Sequence, residues 1–489
     1  MNMFSSADKE SEVRAFVLLA LLLGGYSLAN VLVGPFWPAF FGLVVPAAVL
    51  AFLYPRAGLF VSVAMTVFFE RFYTLSPLVI GEAQYKVYAL DAVLAASFVS
   101  ALLLWMREGK RFSRFRSSDW LLLSFFGIVT AIFLFELLVP SETNVATAFS
   151  TWKNYVFYGA LFFLVSYGLR TRDDIFFFAR LFLWSVAAAG IFLLIGIARG
   201  GGLWTEYTPL STAGTRFLAF PHAFYFSLGF LSIFFSSPFW LVDPRRSRLL
   251  FWLSAVLIAG ILGSLMRHLW LGIGGAMVFG FLFFPSEYRR AFIRTALPFL
   301  AVAASSLLIF WSALALFPQS DIRGDTRYVA DILSERIFSI GNRYDESLAW
   351  REGVWTSAMA EFRRSPIFGI GFGAQVPVEL GDYRSYVEVR NMHNSWLAML
   401  IQTGLVGAAV FLGFLVSLCL TLFRAHSGDR FFGAMKYGLM GLIVFQCLVF
   451  FSQPYLETNL LGIFFWITLG VARAVTDMPK SKPAQRIGN

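Results

Sequence analysis

The chain has 489 residues, 58% of them hydrophobic, 18% aromatic and only 14% charged, with a mean hydropathy of +0.70. A soluble domain carries about 25% charged residues, so these figures exclude a soluble globule, a disordered chain and a fibrous protein. The apolar residues come in long unbroken runs rather than in alternation, which also excludes a porin-like barrel. The composition implies an all-α polytopic membrane protein.

About 20 apolar residues cross a bilayer as a helix. In chain order the runs are 15–33, 36–54, 57–75, 87–106, 119–139, 154–169, 175–197, 217–241, 249–266, 269–284, 296–317, 394–423, 437–452 and 459–472. Merging the short neighbours leaves about 12 to 14 transmembrane helices. The run 15–33 follows Lys9 and Arg14 without a small-x-small cleavage site, so it reads as a retained first span. Trp105, Trp120, Trp240 and Tyr54 sit at run ends, as interfacial anchors do.

Of the 39 basic residues, 32 are Arg, and the formal net charge is +10. No nucleic-acid motif accompanies that charge. The basic residues cluster instead in short segments between runs. Five lie in 107–118, two in 170–174, and three each in 243–248, 285–295 and 424–436. The alternate short loops (71–86, 140–153, 198–216, 453–458) hold two, one, two and none. The positive-inside rule then puts the first set and both termini in the cytoplasm. Four segments result: N-terminal transmembrane helices 1–317, one large, partly helical periplasmic loop 318–392, C-terminal transmembrane helices 393–475, and a cytoplasmic tail 476–489.

The large loop contains nine Arg, no Lys and eleven acidic residues. Loops of this length commonly carry function. Ala349–Phe362 has the pattern of an amphipathic helix ended before Pro366, with Gly369, Gly371 and Gly373 following as a turn. No internal repeat is visible.

Four histidines are present. His426 falls in a cytoplasmic loop, while His222, His268 and His393 map to the outer boundary of the membrane. His393 ends the large loop and starts a span, within Asn391-Met-His-Asn-Ser-Trp396. It is a candidate general base for an acceptor hydroxyl, or an interfacial His bonded to a loop carbonyl. Arg267 lies at the outer end of a span, either as a functional charge or as a snorkelling side chain at a hairpin tip. Arg216 lies at similar depth. Arg351, on the loop helix, suits bidentate contact with phosphate, or belongs to a solvated, ion-paired loop. Asp91 is either a site carboxylate or a polar contact between helices. Glu136 and Lys153 flank one outer loop as a candidate rim pair.

The sequence contains no P-loop, no dinucleotide fingerprint, no acidic pair of the nucleotide-sugar type and no Gly-x-Ser-x-Gly elbow. Cys419 and Cys447 fall inside apolar runs, where a free thiol packs as a small hydrophobe. No metal-ligand spacing is present, and neither metal nor cofactor is expected.

Three motifs in order resemble the O-antigen ligase superfamily of ligases, polymerases and protein O-oligosaccharyltransferases. His393-Asn-Ser-Trp-Leu397 followed by Gln402-Thr-Gly-Leu-Val-Gly407 resembles the start of the family's post-loop span. Arg351-x-x-x-Trp355-x-x-Ala358, then Ser365-Pro-Ile-Phe-Gly369-Ile-Gly371-Phe-Gly373, resembles its large periplasmic loop. Ser264 to Trp270 resembles the Ser-Arg-x-x-Trp tip between two spans, although here Leu265 and Met266 separate Ser264 from Arg267. Gln402 stands where relatives often have Glu, so no carboxylate role transfers there.

The resemblance implies an enzyme of the bacterial inner membrane that moves a glycan from a polyprenyl-diphosphate carrier to an acceptor hydroxyl. His393 would be the base. Arg351, Arg267 and Arg216 would hold the diphosphate, with Asn394, Trp355, Asp91 and His222 in support. The expected partners are the lipid-linked glycan, a lipid A-core or growing-glycan acceptor, and membrane lipids, with no nucleic acid. The alternatives are a polysaccharide polymerase of the same superfamily or, from another class, a transporter or flippase of lipid-linked glycans.

Overall fold

Apolar runs of this length close every backbone hydrogen bond within one helix, the arrangement that lipid demands. The computed structural model describes residues 6–69, 73, 77–81, 85–107, 115–138, 144–198, 220–240, 243–298, 301, 346–380, 383–425, 430–457 and 459–478. Among the described residues the fold is all-α apart from two short hairpins. Seven described helices are long and apolar enough to cross a membrane, and four more apolar helices are shorter.

Contacts divide the chain into two units. The first draws on 1–186, 353–424 and 450–478, the second on 187–352 and 425–449. In the first unit, α1 (Ser6–Val33), α2 (Trp37–Leu53) and α3 (Pro55–Phe68) pack together. The hairpin of β1 (Leu78–Ile80) and β2 (Tyr85–Val87) leads into α4 (Ala89–Arg107), which packs on α2 and α3. Gly58 of α3 lies so close to Ser97 and Ala51 that a Cβ would have no room.

Next come α5 (Ser117–Leu138), α6 (Val145–Trp152) and α7 (Leu161–Gly168). One π-helical turn, Lys153–Phe157, runs on from α6. The helix α8 (Arg172–Ala198) begins in the first unit and ends in the second.

The second unit holds α9 (Phe220–Phe235), α10 (Pro244–Gly263) and α11 (Arg267–Phe283). Asp243 caps α10 by accepting the N–H groups of Arg245 and Arg246, as an N-cap side chain does. α12 (Glu346–Phe362) covers the helix expected at 349–362.

Beyond α12 the chain forms a hairpin, β3 (Gln375–Leu380) with β4 (Tyr383–Glu388), registered Gln375 to Glu388. α13 (Ser395–Arg424) packs on α5 in the first unit. α14 (Arg430–Val449) packs on α11 and α9 in the second, where Gly272 and Gly275 let Phe445, Leu448 and Val449 approach. α15 (Asn459–Asp477) returns to the first unit against α7.

At one end of α15, Arg473 makes a bidentate pair with Asp119 of α5, Nε and Nη2 each at 2.9 Å. Both side chains are within 1% of complete burial. Arg116 adds bonds to Thr476 and Asp477.

α13 is 30 residues long, about 45 Å as a straight helix, and it is broken at Gly404 (φ 67°, ψ −173°). The break is filled from the loop. Ile370 and Gly371 donate their N–H groups to the carbonyls of Ile401 and Gln402 at 2.9 and 3.2 Å. Leu405 and Val406 donate in turn to the carbonyls of Pro366 and Ile367 at 2.9 and 3.2 Å. Gly369 and Gly371, both at positive φ, allow this approach. A Cβ on Gly369 would overlap the Ile401 and Gln402 carbonyls, and one on Gly371 would overlap Glu136. The glycine turn expected after α12 is therefore a main-chain splint in a broken helix.

Candidate functional site

In the first unit the site is built where β4 meets α13. Asn394 is the N-cap of α13: its side chain accepts the Leu397 N–H at 3.0 Å and its carbonyl accepts the Ala398 N–H at 2.9 Å. His393, one residue earlier, has φ 58°. That left-handed conformation is strained for a residue with a Cβ and persists only where surrounding contacts over-determine it.

Those contacts come from two directions. Trp355 of α12 donates its indole N–H to the Met392 carbonyl at 2.8 Å. The turn between α14 and α15 closes on the other side. Gln453 Oε1 lies 3.0 Å from His393 Nδ1, and Ser395 N–H donates to the Phe450 carbonyl at 2.9 Å. Upstream, Glu388 is held by Arg390 at 2.7 Å, Asn391 at 3.1 Å and Thr147 at 3.2 Å.

Ser395 is buried and organises the turn. Its hydroxyl lies 2.7 Å from Glu457 Oε2 and 3.2 Å from the Gln453 carbonyl, and it accepts the Leu456 N–H at 3.0 Å. Tyr155 donates to Glu457 Oε1 at 2.5 Å, and Asn154 donates to the Glu457 carbonyl. Burial pushes the Glu457 carboxyl up to about 7, against the bonds from Tyr155 and Ser395 that act the other way. A hydroxyl has one proton, so Ser395 cannot donate to both oxygens at once.

Asp91 is brought to Lys153, with Oδ2 2.9 Å from Nζ, and to the Tyr158 hydroxyl. Lys153 also lies over the Tyr88 ring, 4.6 Å from its centroid. Asp91 is thus a polar contact between α4 and the π-helical turn. The rim pair expected of Glu136 and Lys153 does not form. Lys153 pairs with Asp91, and Glu136 accepts the Phe372 N–H at the end of the glycine splint.

In the second unit the tip between α10 and α11 carries the third motif. Ser264 Oγ and Trp270 Nε1 both donate to the Ile261 carbonyl, at 2.6 and 3.2 Å. Leu265 turns the chain at φ 56°. Arg267 is the first residue of α11, at the positive end of the helix dipole, which favours anions. Ser264 and Trp270 therefore shape the turn that presents Arg267. The two extra residues, Leu265 and Met266, complete that turn and bring Arg267 to the helix start.

His222 is fully buried near the start of α9, edge-on to Tyr225. Arg351 is half-buried on α12, one helical turn before Trp355. Arg216 lies outside the described residues, as does His426.

Sequence reasoning missed Gln453, Ser395, Glu457 and Tyr155. One signal was available: Glu457 is the single acidic residue across 437–472. Residues 249–412, about a third of the chain, match the family model described as O-antigen ligase. That segment contains the α10–α11 tip, α12, the glycine splint and His393. No curated protein matches the chain.

Proposed function

We propose, on the match of residues 249–412 to the O-antigen ligase family, that the chain transfers a glycan from a polyprenyl diphosphate to an acceptor hydroxyl at the periplasmic face of the inner membrane. His393 takes the hydroxyl proton as general base. The acceptor oxygen then bonds to the anomeric carbon of the glycan. The bond from that carbon to the diphosphate breaks, and its electron pair leaves with the diphosphate oxygen. Arg351 and Arg267, with Arg216, bind the diphosphate and stabilise the charge that develops on it. The reaction is driven by positioning and electrostatics and uses neither metal nor nucleotide.

The observation that carries this reading is that all three motifs fall, in order, inside the one segment that matches the family. The strained backbone at His393 supports it, since such strain clusters at active sites. The acceptor divides the ligase reading, with lipid A-core, from the polymerase reading, with a second lipid-linked glycan. The test is turnover by purified protein given a polyprenyl-diphosphate glycan with or without lipid A-core. Transfer that needs lipid A-core marks a ligase, and glycan ladders without it mark a polymerase. No release of the lipid diphosphate under either condition removes the enzyme reading and favours a carrier of lipid-linked glycans.

A further inference from the structure

The turn bearing Gln453 lies outside the segment that matches the family, yet it is tied firmly to the start of α13. Ser395 binds it at the Phe450 carbonyl, the Gln453 carbonyl and the Leu456 N–H. Tyr155 and Asn154 hold Glu457 from the opposite side. At this turn the Gln453 side chain faces His393, with Oε1 3.0 Å from Nδ1.

An amide oxygen only accepts hydrogen bonds, so the ring nitrogen that meets it must carry a proton. In a neutral imidazole the other nitrogen then holds the lone pair, and the bond to one nitrogen decides the state of the other. The left-handed backbone of His393, pinned by the N-cap at Asn394 and the Trp355 bond to Met392, fixes where the ring starts.

We propose that Gln453 is a positioning residue for His393, holding the proton on Nδ1 and so presenting Nε2 as the base to the acceptor hydroxyl. The inference rests on the reading of His393 as general base. The titratable groups around the turn are Glu457 and Tyr155 behind Ser395, and Arg390 paired with Glu388 on the approach to α13.

The experiment uses the full chain in detergent with 15N-labelled histidine. Four histidines are present, and the His393 signal is the one lost in His393→Ala. The expected spectrum of the wild type at a pH where His393 is neutral shows a protonated Nδ1 and an unprotonated Nε2. Gln453→Leu moves the proton toward Nε2 and lowers kcat roughly 10- to 100-fold with little change in KM. Gln453→Glu keeps the proton on Nδ1 and moves the acidic limb of the kcat/KM profile up by about one pH unit, because a carboxylate favours the imidazolium.

A wild-type His393 protonated on Nε2 overturns the proposal without any variant. So does a Gln453→Leu protein whose tautomer is that of the wild type. Full turnover by His393→Ala overturns the base role instead, and the tautomer in Gln453→Leu is read independently of turnover.

Discussion

Leu405 donates its N–H to the carbonyl of Pro366 at 2.9 Å, where an unbroken helix would direct it to Ile401. Ile401 instead accepts from Ile370, and Gln402 accepts from Gly371. The loop that follows α12 thus replaces bonds of α13 one for one. Buried backbone groups must be paired, so this exchange lets α13 break without stranding donors. It also ties the loop to the same helix whose first turn follows His393.

Gly404→Ala is expected to destabilise the protein by at least about 1–2 kcal/mol from the left-handed conformation alone. A Cβ there would also overlap the Ile367 carbonyl. Gly371→Ala should act similarly through Glu136. The measurement is thermal unfolding in detergent, with Gly274→Ala, where a Cβ meets nothing within 4 Å, as the neutral comparison.

Removing Arg473 from the buried Arg473–Asp119 pair should cost about 3–5 kcal/mol, because Asp119 is left buried without its cation, whereas Arg473 keeps its pair with Asp477 when Asp119 is removed. Arg473→Met is expected to lower the melting temperature sharply, and Asp119→Leu by less. The double variant should recover most of the loss. Additive effects of the two substitutions would show that the pair is not coupled.

Glu457 gives a pH dependence of stability. Its carboxyl is raised to about 7 from an ordinary value of 4.5, so the folded state holds a proton that the unfolded chain releases earlier. The contribution is complete below about 4.5 and is lost as pH rises through about 7. Melting curves from pH 4 to 8 should fall across that window in the wild type and lie flatter in Glu457→Gln. An identical fall in both proteins assigns it to another group.

Arg351→Lys separates a planar fork from a point charge. Lysine cannot make the bidentate contact with phosphate, so transfer should drop by at least 10-fold while expression and melting stay near wild type. Wild-type rates would leave Arg351 with charge as its only contribution.

Hydropathy made the helical membrane architecture legible, and the spacing of Ala349–Phe362 located α12, because both are properties of contiguous sequence. His393 and Arg267 stood out as polar residues at the ends of apolar runs. The partners of these residues were not legible. Lys153 meets Asp91 across 62 positions, and Gln453 meets His393 across 60. No local period records such pairings. The rim pair of Glu136 and Lys153 failed for that reason: adjacency to one loop was read as contact, while each side chain had a distant partner. The role of the glycines was equally hidden, since a flexible turn and a rigid splint have the same composition.

The central claim is tested most directly by supplying purified wild type and His393→Ala with a polyprenyl-diphosphate glycan and lipid A-core in EDTA, and following release of the lipid diphosphate. The expected result is release and glycan transfer by the wild type, with a loss of about 100-fold or more in His393→Ala at unchanged melting temperature. Equal rates in the two proteins would contradict the assignment of His393 as the base.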